Sequence, residues 1–131
     1  MIPRPFVSFA VVSAVLLACG CATSSYTTTP KGTYQLKRVF PMNTWETVVN
    51  RPIAATHKAT VAGFKDLGIA PITNRVDQVS GLVDGMFADN MDVEVKLEAI
   101  APEMTRIRVR CGMVGDQGRT EAIFNAISKN L

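Results

Sequence analysis

The stretch that decides the fold is residues 91–111, MDVEVKLEAIAPEMTRIRVRC. Its first half alternates Met91 and three aliphatic residues with charged ones, and its second half alternates Ile107, Val109 and Cys111 with three arginines. The Ala-Pro-Glu segment between the halves is typical of a turn. Because strict alternation puts apolar side chains on one face of a strand, the stretch predicts an antiparallel hairpin with its other face in water.

The alternation also restricts how the two strands pair. Residues whose numbers sum to 204 would bring Leu97 opposite Ile107 and Val95 opposite Val109 on the inner face. The outer face would then hold two opposite-charge pairs and one like-charge pair: Glu98–Arg106, Glu94–Arg110 and Lys96–Arg108. A one-residue shift would turn charges toward the core, so we expect an even sum and a solvated charge ladder.

The flanking sequence predicts the remaining elements from the same periodicities. Further strands are expected at residues 34–40, 45–49, 72–76 and 82–87, separated by turns at 77–81 and 88–90. A helix is expected from an N-cap at Asn50 to Gly68, with these residues at helical spacing: Ile53, His57, Val61, Phe64 and Leu67. A closing helix at 120–130 would bury Ile123, Phe124, Ile127 and Leu131.

These elements together predict an α+β fold. We expect an antiparallel β-sheet of about four to five strands with two helices packed on one face, preceded by a signal helix and a flexible tether. The domain would span residues 34–131, which is about 98 residues and enough for one compact unit.

The N-terminal residues 1–18 have the pattern of a secretory signal peptide. One basic residue, Arg4, precedes an apolar run at 6–18 that is shorter than the ~20 residues needed to span a bilayer. Leu16-Leu17-Ala18-Cys19 resembles a bacterial lipoprotein signal, and the resemblance implies that Cys19 is acylated. Acylation of Cys21 remains open, as does an ordinary signal cut near Ala22.

Residues 19–33 are expected to contain the lipidated cysteine and a flexible tether. The tether residues are mostly small and polar, so they cannot bury enough apolar surface to fold alone. Gly20, rather than Asp, comes after Cys19. By the same resemblance, the protein is expected in the bacterial cell envelope, lipid-anchored in the outer membrane and facing the periplasm.

Charge and cysteine content exclude several classes of protein. The net charge is +3, and +2 once Arg4 is lost with the signal, so no nucleic-acid partner is expected. Cys111 is the only cysteine of the domain, and we expect a buried free thiol, although a bridge to Cys21 stays open. His57, the only histidine, has no partner at metal-ligand spacing, so neither a metal nor a cofactor is expected.

One loop is the candidate binding site. Gly112, Gly115, Asp116 and Arg119 lie in a glycine-rich segment before the closing helix, which superficially resembles an anion-binding loop. The segment lacks the Gly-Lys-Ser/Thr ending of a P-loop. A strand-to-helix turn, with Asp116 or Thr120 capping the helix, is the favoured interpretation.

Several stretches in the C-terminal part of the chain carry a resemblance to a known family, and they are 64–69 (FKDLGI), 77–83, 105–110 (TRIRVR), Gly115-Asp116 and 127–131 (ISKNL). With these stretches the chain resembles the DUF3568 family of small bacterial lipoproteins of unknown function. Together they cover roughly residues 45–131. Cys111 before Gly112, and Val114 where an aromatic residue is usual, depart from the family pattern. The resemblance implies no activity.

The expected function is therefore a non-enzymatic, membrane-anchored envelope module that contacts another envelope protein. The alternative is a binding module for a lipid, glycan or small anion at residues 112–119. An enzyme would require His57, Cys111 and an acid such as Asp116 to converge within hydrogen-bonding distance.

Overall fold

A computed structural model describes residues 24–29, 32–39, 43–113 and 115–131, with side chains from residue 36 onward. Its nine elements are β1 (Ser24–Thr29), β2 (Gly32–Val39), β3 (Thr44–Val49), α1 (Ile53–Asp66), β4 (Ala70–Val76), β5 (Ser80–Met86), β6 (Asp92–Ala101), β7 (Met104–Cys111) and α2 (Gln117–Asn130). The predicted α+β class, with an antiparallel sheet and two helices, is confirmed.

The strands form one sheet in the order β1-β2-β3-β7-β6-β5-β4, and all neighbours are antiparallel. This order makes β3 and β4 run in the same direction, with β4 at one edge of the sheet. Two strands of equal direction require a crossover connection, and α1 supplies it by passing over one face of the sheet.

The predicted register of the hairpin is confirmed. Seven consecutive pairs of β6 and β7 sum to 204, from Val93 opposite Cys111 to Ala99 opposite Thr105, before an irregularity near the turn. The inner face of this hairpin is buried beneath the helices, since Val95 and Val109 are 0% exposed. The alternation in residues 91–111 thus positions the centre of the sheet.

The N-terminal strand β1 was not predicted. Ser24–Thr29, expected within the tether, form β1 and pair along their whole length with β2. The sheet therefore has seven strands rather than four to five. Cys19 and Cys21, with the rest of residues 1–23, lie outside the described residues.

Helix α1 begins later than predicted. Pro52 occupies the N-cap position, and its carbonyl accepts the N–H and the Oγ1 hydrogen of Thr56. The prediction of Asn50 as the N-cap is wrong. The segment before Pro52 is held by the sheet instead, because the Thr105 hydroxyl of β7 donates to Arg51 O at 2.8 Å. The helix ends at Asp66, and Gly68, the predicted stop, follows two residues later with φ +71°.

The two helices pack closely against each other as well as against the sheet. A Cβ on Gly63 would lie 3.0 Å from the Ile127 backbone nitrogen, so glycine at this position allows the close approach. The buried stripe of α1 consists largely of small residues: Ile53, Thr56, Ala59, Thr60, Gly63 and Phe64. His57, Val61 and Leu67, predicted at helical spacing, are only half-buried. In α2, Ile123, Phe124 and Ile127 are buried as predicted, and Leu131 is half-buried.

Candidate functional site

The loop between β7 and α2 uses its glycines for backbone geometry. Gly112 and Gly115 have φ of +65° and +75°, which glycine adopts without the steric cost that other residues incur. A Cβ on Gly115 would lie 2.5 Å from the Asn43 carbonyl oxygen, so this turn also packs against the β2–β3 connection. The two predicted binding glycines are therefore accounted for by a tight turn.

Asp116 is the N-cap of α2, which was one of the two caps expected from the sequence. Its Oδ1 accepts the Arg119 N–H at 3.0 Å, and its carbonyl accepts the Thr120 N–H at 3.0 Å. The Thr120 hydroxyl donates to the same carbonyl at 2.7 Å. Because an N-cap acceptor satisfies a free amide of the first turn, Asp116 stabilises the start of the helix.

The fourth candidate, Arg119, links the loop to the β5–β6 turn. Its Nη1 donates to Asp89 Oδ1 at 2.8 Å and its Nη2 donates to Asp89 Oδ2. The guanidinium also lies 4.8 Å from the centre of the Phe87 ring, within the range of a cation–π contact. The hydrogen bond from Arg119 lowers the pKa of Asp89 to about 2.

This pair predicts a specific acid dependence of stability. The pKa of Asp89 in the folded protein lies below its ordinary value of 3.8. The Asp89–Arg119 pair therefore stabilises the folded state above pH 3.8, and this stabilisation is lost as the pH falls toward about 2. Asp89→Asn should lower the urea midpoint at pH 7 slightly, because the pair is exposed, and the difference from wild type should shrink between pH 4 and pH 2. Glu103→Gln, in the β6–β7 turn, is the control. A difference for Asp89→Asn that is unchanged down to pH 2 would contradict the account.

The catalytic candidates do not converge. His57 hydrogen-bonds to Asn74 of β4, whereas Cys111 ends β7, three strands away and about 14 Å across the sheet. Cys111 is a buried free thiol, as expected, and burial raises its pKa, which disfavours the reactive thiolate. Asp116 lies near Cys111 but is committed to the helix cap.

The outer face of the sheet carries the predicted charge ladder. Arg106 pairs with Glu98 at 3.0 Å, and Arg110 lies 3.9 Å from Glu94. Arg108 instead pairs with Glu46 of β3 at 3.1 Å. Exposed ion pairs of this kind each contribute little to stability. A stabilising role alone therefore does not explain why so many charged side chains lie on this face.

Sequence reasoning missed two hollows on this outer face. The larger, of about 550 Å³, lies between the β4–β5 hairpin and β7 and is lined in part by Arg75, Leu82, Lys96 and Arg108. The smaller, of about 190 Å³, also contacts Lys96 and Arg108. Neither is lined by the four predicted loop residues. The like-charge pair of Lys96 and Arg108 was the sequence signal for this region.

The β4 edge presents exposed apolar side chains. Ile72 is 72% exposed, and Val79 in the β4–β5 turn is 66% exposed. Within the described residues, β4 pairs with β5 alone, so its other edge has open main-chain donors and acceptors. An edge of this kind can accept an additional strand.

Comparison with known proteins gives one family. A family described as "Protein of unknown function (DUF3568)" has a sequence model that matches residues 5–130. No curated protein matches the chain. In the part of the chain that the structure describes, no helix is long and apolar enough to cross a membrane. The same residues contain no group of three or more His, Cys, Asp or Glu side chains placed to hold a metal ion.

Proposed function

The chain belongs to the DUF3568 family, and we propose that it is a lipid-anchored protein of the bacterial envelope whose domain faces the periplasm as a non-catalytic interaction module. The observation that carries the anchor is Leu16-Leu17-Ala18-Cys19 after a short apolar run. Since two or three acyl chains hold a protein stably at a membrane, the domain would stay at its surface. Gly20 after Cys19 favours the outer membrane.

The position of β1 shortens the tether. Four residues separate Cys19 from Ser24, the first residue of β1, so the five steps of chain between them span at most about 18 Å. A tether of this length would keep the sheet close to the lipid surface. It would also hold the β1 edge nearest the anchor.

The opposite edge is the surface best placed for a protein partner. β1 and β4 lie at the two ends of a seven-stranded sheet, six strand spacings or about 29 Å apart. The β4 edge combines open main-chain groups with the exposed Ile72 and Val79. We propose that an extended segment of another envelope protein pairs with this edge.

Site-specific photo-crosslinking in intact cells tests this interaction. A benzoylphenylalanine placed at Ile72 or Val79 should give a discrete, heavier adduct after irradiation. The control is the same residue at Lys58, which is exposed on α1, and it should give no such adduct. The proposal would be contradicted by equal adducts at all three positions, or by none at Ile72 and Val79.

The alternative proposal is binding of a lipid, glycan or small anion at residues 112–119. Such a ligand would have to compete with Asp89 for the Arg119 guanidinium and with the Arg119 N–H for the Asp116 carboxylate. No feature of this loop favours a ligand over the contacts already present, so the β4 edge is preferred as the interaction surface.

A further inference from the structure

One cross-strand row on the outer face concentrates positive charge. Successive register pairs place six residues side by side across six strands, and they are Lys37, Glu46, Arg108, Lys96, Leu82 and Arg75. We call this set the central row. It contains four basic side chains and one carboxylate, which gives a net charge of +3.

The neighbouring rows do not share this imbalance. The row on one side contains Thr73, Asp84, Glu94 and Arg110, with a net charge of −1. The row on the other side contains Ser80, Glu98, Arg106 and Val48, with no net charge. The positive charge is therefore confined to a line, and it does not arise from a generally basic face.

The like-charge pair at the centre of the row lies next to a cavity. Lys96 and Arg108 are directly opposite on adjacent strands, an arrangement that is destabilising without a counter-charge. Both side chains line the 550 Å³ hollow, whose size is typical of small-molecule sites. Arg108 uses its Nε for Glu46, and the exposed Lys96 ammonium lies 3.3 Å from Glu94 in the neighbouring row. An anion placed between the two cations would add a second counter-charge to both.

The hollow offers a second cation at a defined distance. Arg75 lies two strands from Lys96, about 10 Å away, and Leu82 lies between them in the row. Among the described residues Arg75 forms no ion pair. The ends of the hollow are thus basic, and its middle is apolar.

The two carboxylates that line the hollow are engaged elsewhere. Asp77 accepts the N–H groups of Val79 and Ser80, each at 2.8 Å, within its own turn. Glu98 pairs with Arg106 in the neighbouring row. Hydrogen bonds from Val79 and Ser80 and the charge of Arg75 lower the pKa of Asp77, so Asp77 offsets part of the Arg75 charge, whereas Glu98 offsets Arg106.

We propose that this hollow binds a small molecule with two phosphate-like groups about 10 Å apart. One anionic group lies between Lys96 and Arg108, the other lies at Arg75, and the linker lies over Leu82. The site does not depend on the lipid anchor, and it uses the outer face of the sheet, where Arg75 belongs to β4.

Calorimetric titration of the full chain in neutral detergent tests the proposal with two probes. Hexane-1,6-diphosphonic acid has two phosphonates joined by an apolar chain, and hexylphosphonic acid has one. The diphosphonate should bind about tenfold more tightly, because a second charge-assisted contact forms at Arg75. Arg75→Gln should abolish that advantage without changing the affinity for the monophosphonate.

Variants of Lys96 and Arg108, the like-charge pair of the central row, are compared with a matched control. Lys96→Gln and Arg108→Gln should each weaken both probes about tenfold. Lys37→Gln removes the same charge from the same face and row, at a position that does not line the hollow, and should change affinity less than twofold. Circular dichroism and the Tm of each variant establish that it is folded, and a Tm increase with the diphosphonate should occur in wild type but not in Lys96→Gln.

Several outcomes would overturn the proposal. Equal affinity for the two probes would exclude a second anion position, and equal weakening by Lys37→Gln would indicate unspecific attraction. Absence of saturable binding would exclude the site. Tighter binding of dihexanoyl phosphatidic acid than of the diphosphonate would show a single lipid headgroup site instead.

Discussion

Phe64→Ala is expected to lower the free energy of unfolding by about 3–5 kcal/mol. Phe64 is fully buried and belongs to the core between α1, α2 and the sheet. Truncation removes its apolar contacts and leaves a cavity that the close packing around Gly63 cannot easily fill. A domain of this size has a total stability of about 5–15 kcal/mol, so the loss is a large fraction of it.

Urea unfolding monitored by circular dichroism measures this effect. Ile72→Ala is the matched control, since it also truncates a large apolar side chain but at a position that is 72% exposed. It should change stability by no more than about 0.5 kcal/mol. A loss below about 1 kcal/mol for Phe64→Ala would mean that α1 does not cover the sheet as described.

Cys19→Ala is expected to abolish incorporation of labelled palmitate into the protein. The thiol of Cys19 is the acyl acceptor in the proposed anchor, and alanine offers no nucleophile in its place. The effect should be all or none because each acyl chain needs an acceptor atom. The measurement is the radiolabel in the immunoprecipitated protein after growth with the fatty acid.

Cys21→Ala is the control that separates the two candidate cysteines. It keeps Leu16-Leu17-Ala18-Cys19 intact and should incorporate label at the wild-type level. If Cys21→Ala lost the label and Cys19→Ala kept it, the anchor would be at Cys21. If wild type itself took up no label, the lipid anchor would be excluded.

The centre of the sheet was predictable because its information is local. Alternation in β6 and β7 fixes which face is buried, and the face that is buried fixes the parity of the register. The sum of 204 followed from matching Leu97 with Ile107 and Val95 with Val109. The stop of α1 just before Gly68 and the cap at Asp116 were predictable for a similar reason, since each depends on one residue type at one position.

The N-terminal strand was not predictable from its own residues. Ser24–Thr29 are small and polar and show no apolar alternation, so their pairing depends on main-chain hydrogen bonds to β2. The cap at Asn50 failed because a distant residue, Thr105, holds the segment before Pro52. The stripe of α1 was misjudged because close packing against α2 favours small residues such as Gly63, which apolar periodicity ignores.

The candidate site likewise has a part that could be predicted from local sequence and a part that could not. The interpretation of Gly112, Gly115 and Asp116 as a turn and a cap needed local sequence only, and the structure confirms it. The central row could not be found from sequence, since it joins Lys37 to Arg75 through five registers. Only the like-charge pair of one hairpin was visible in advance.

The lipid anchor is the central claim about function, and the mass of the N-terminal peptide of the mature protein tests it most directly. We predict a chain that begins at Cys19, without residues 1–18, and carries the mass of the added acyl chains on that residue. An unmodified N-terminus near Ala22 would contradict the claim, and so would a mature chain that keeps residues 1–18.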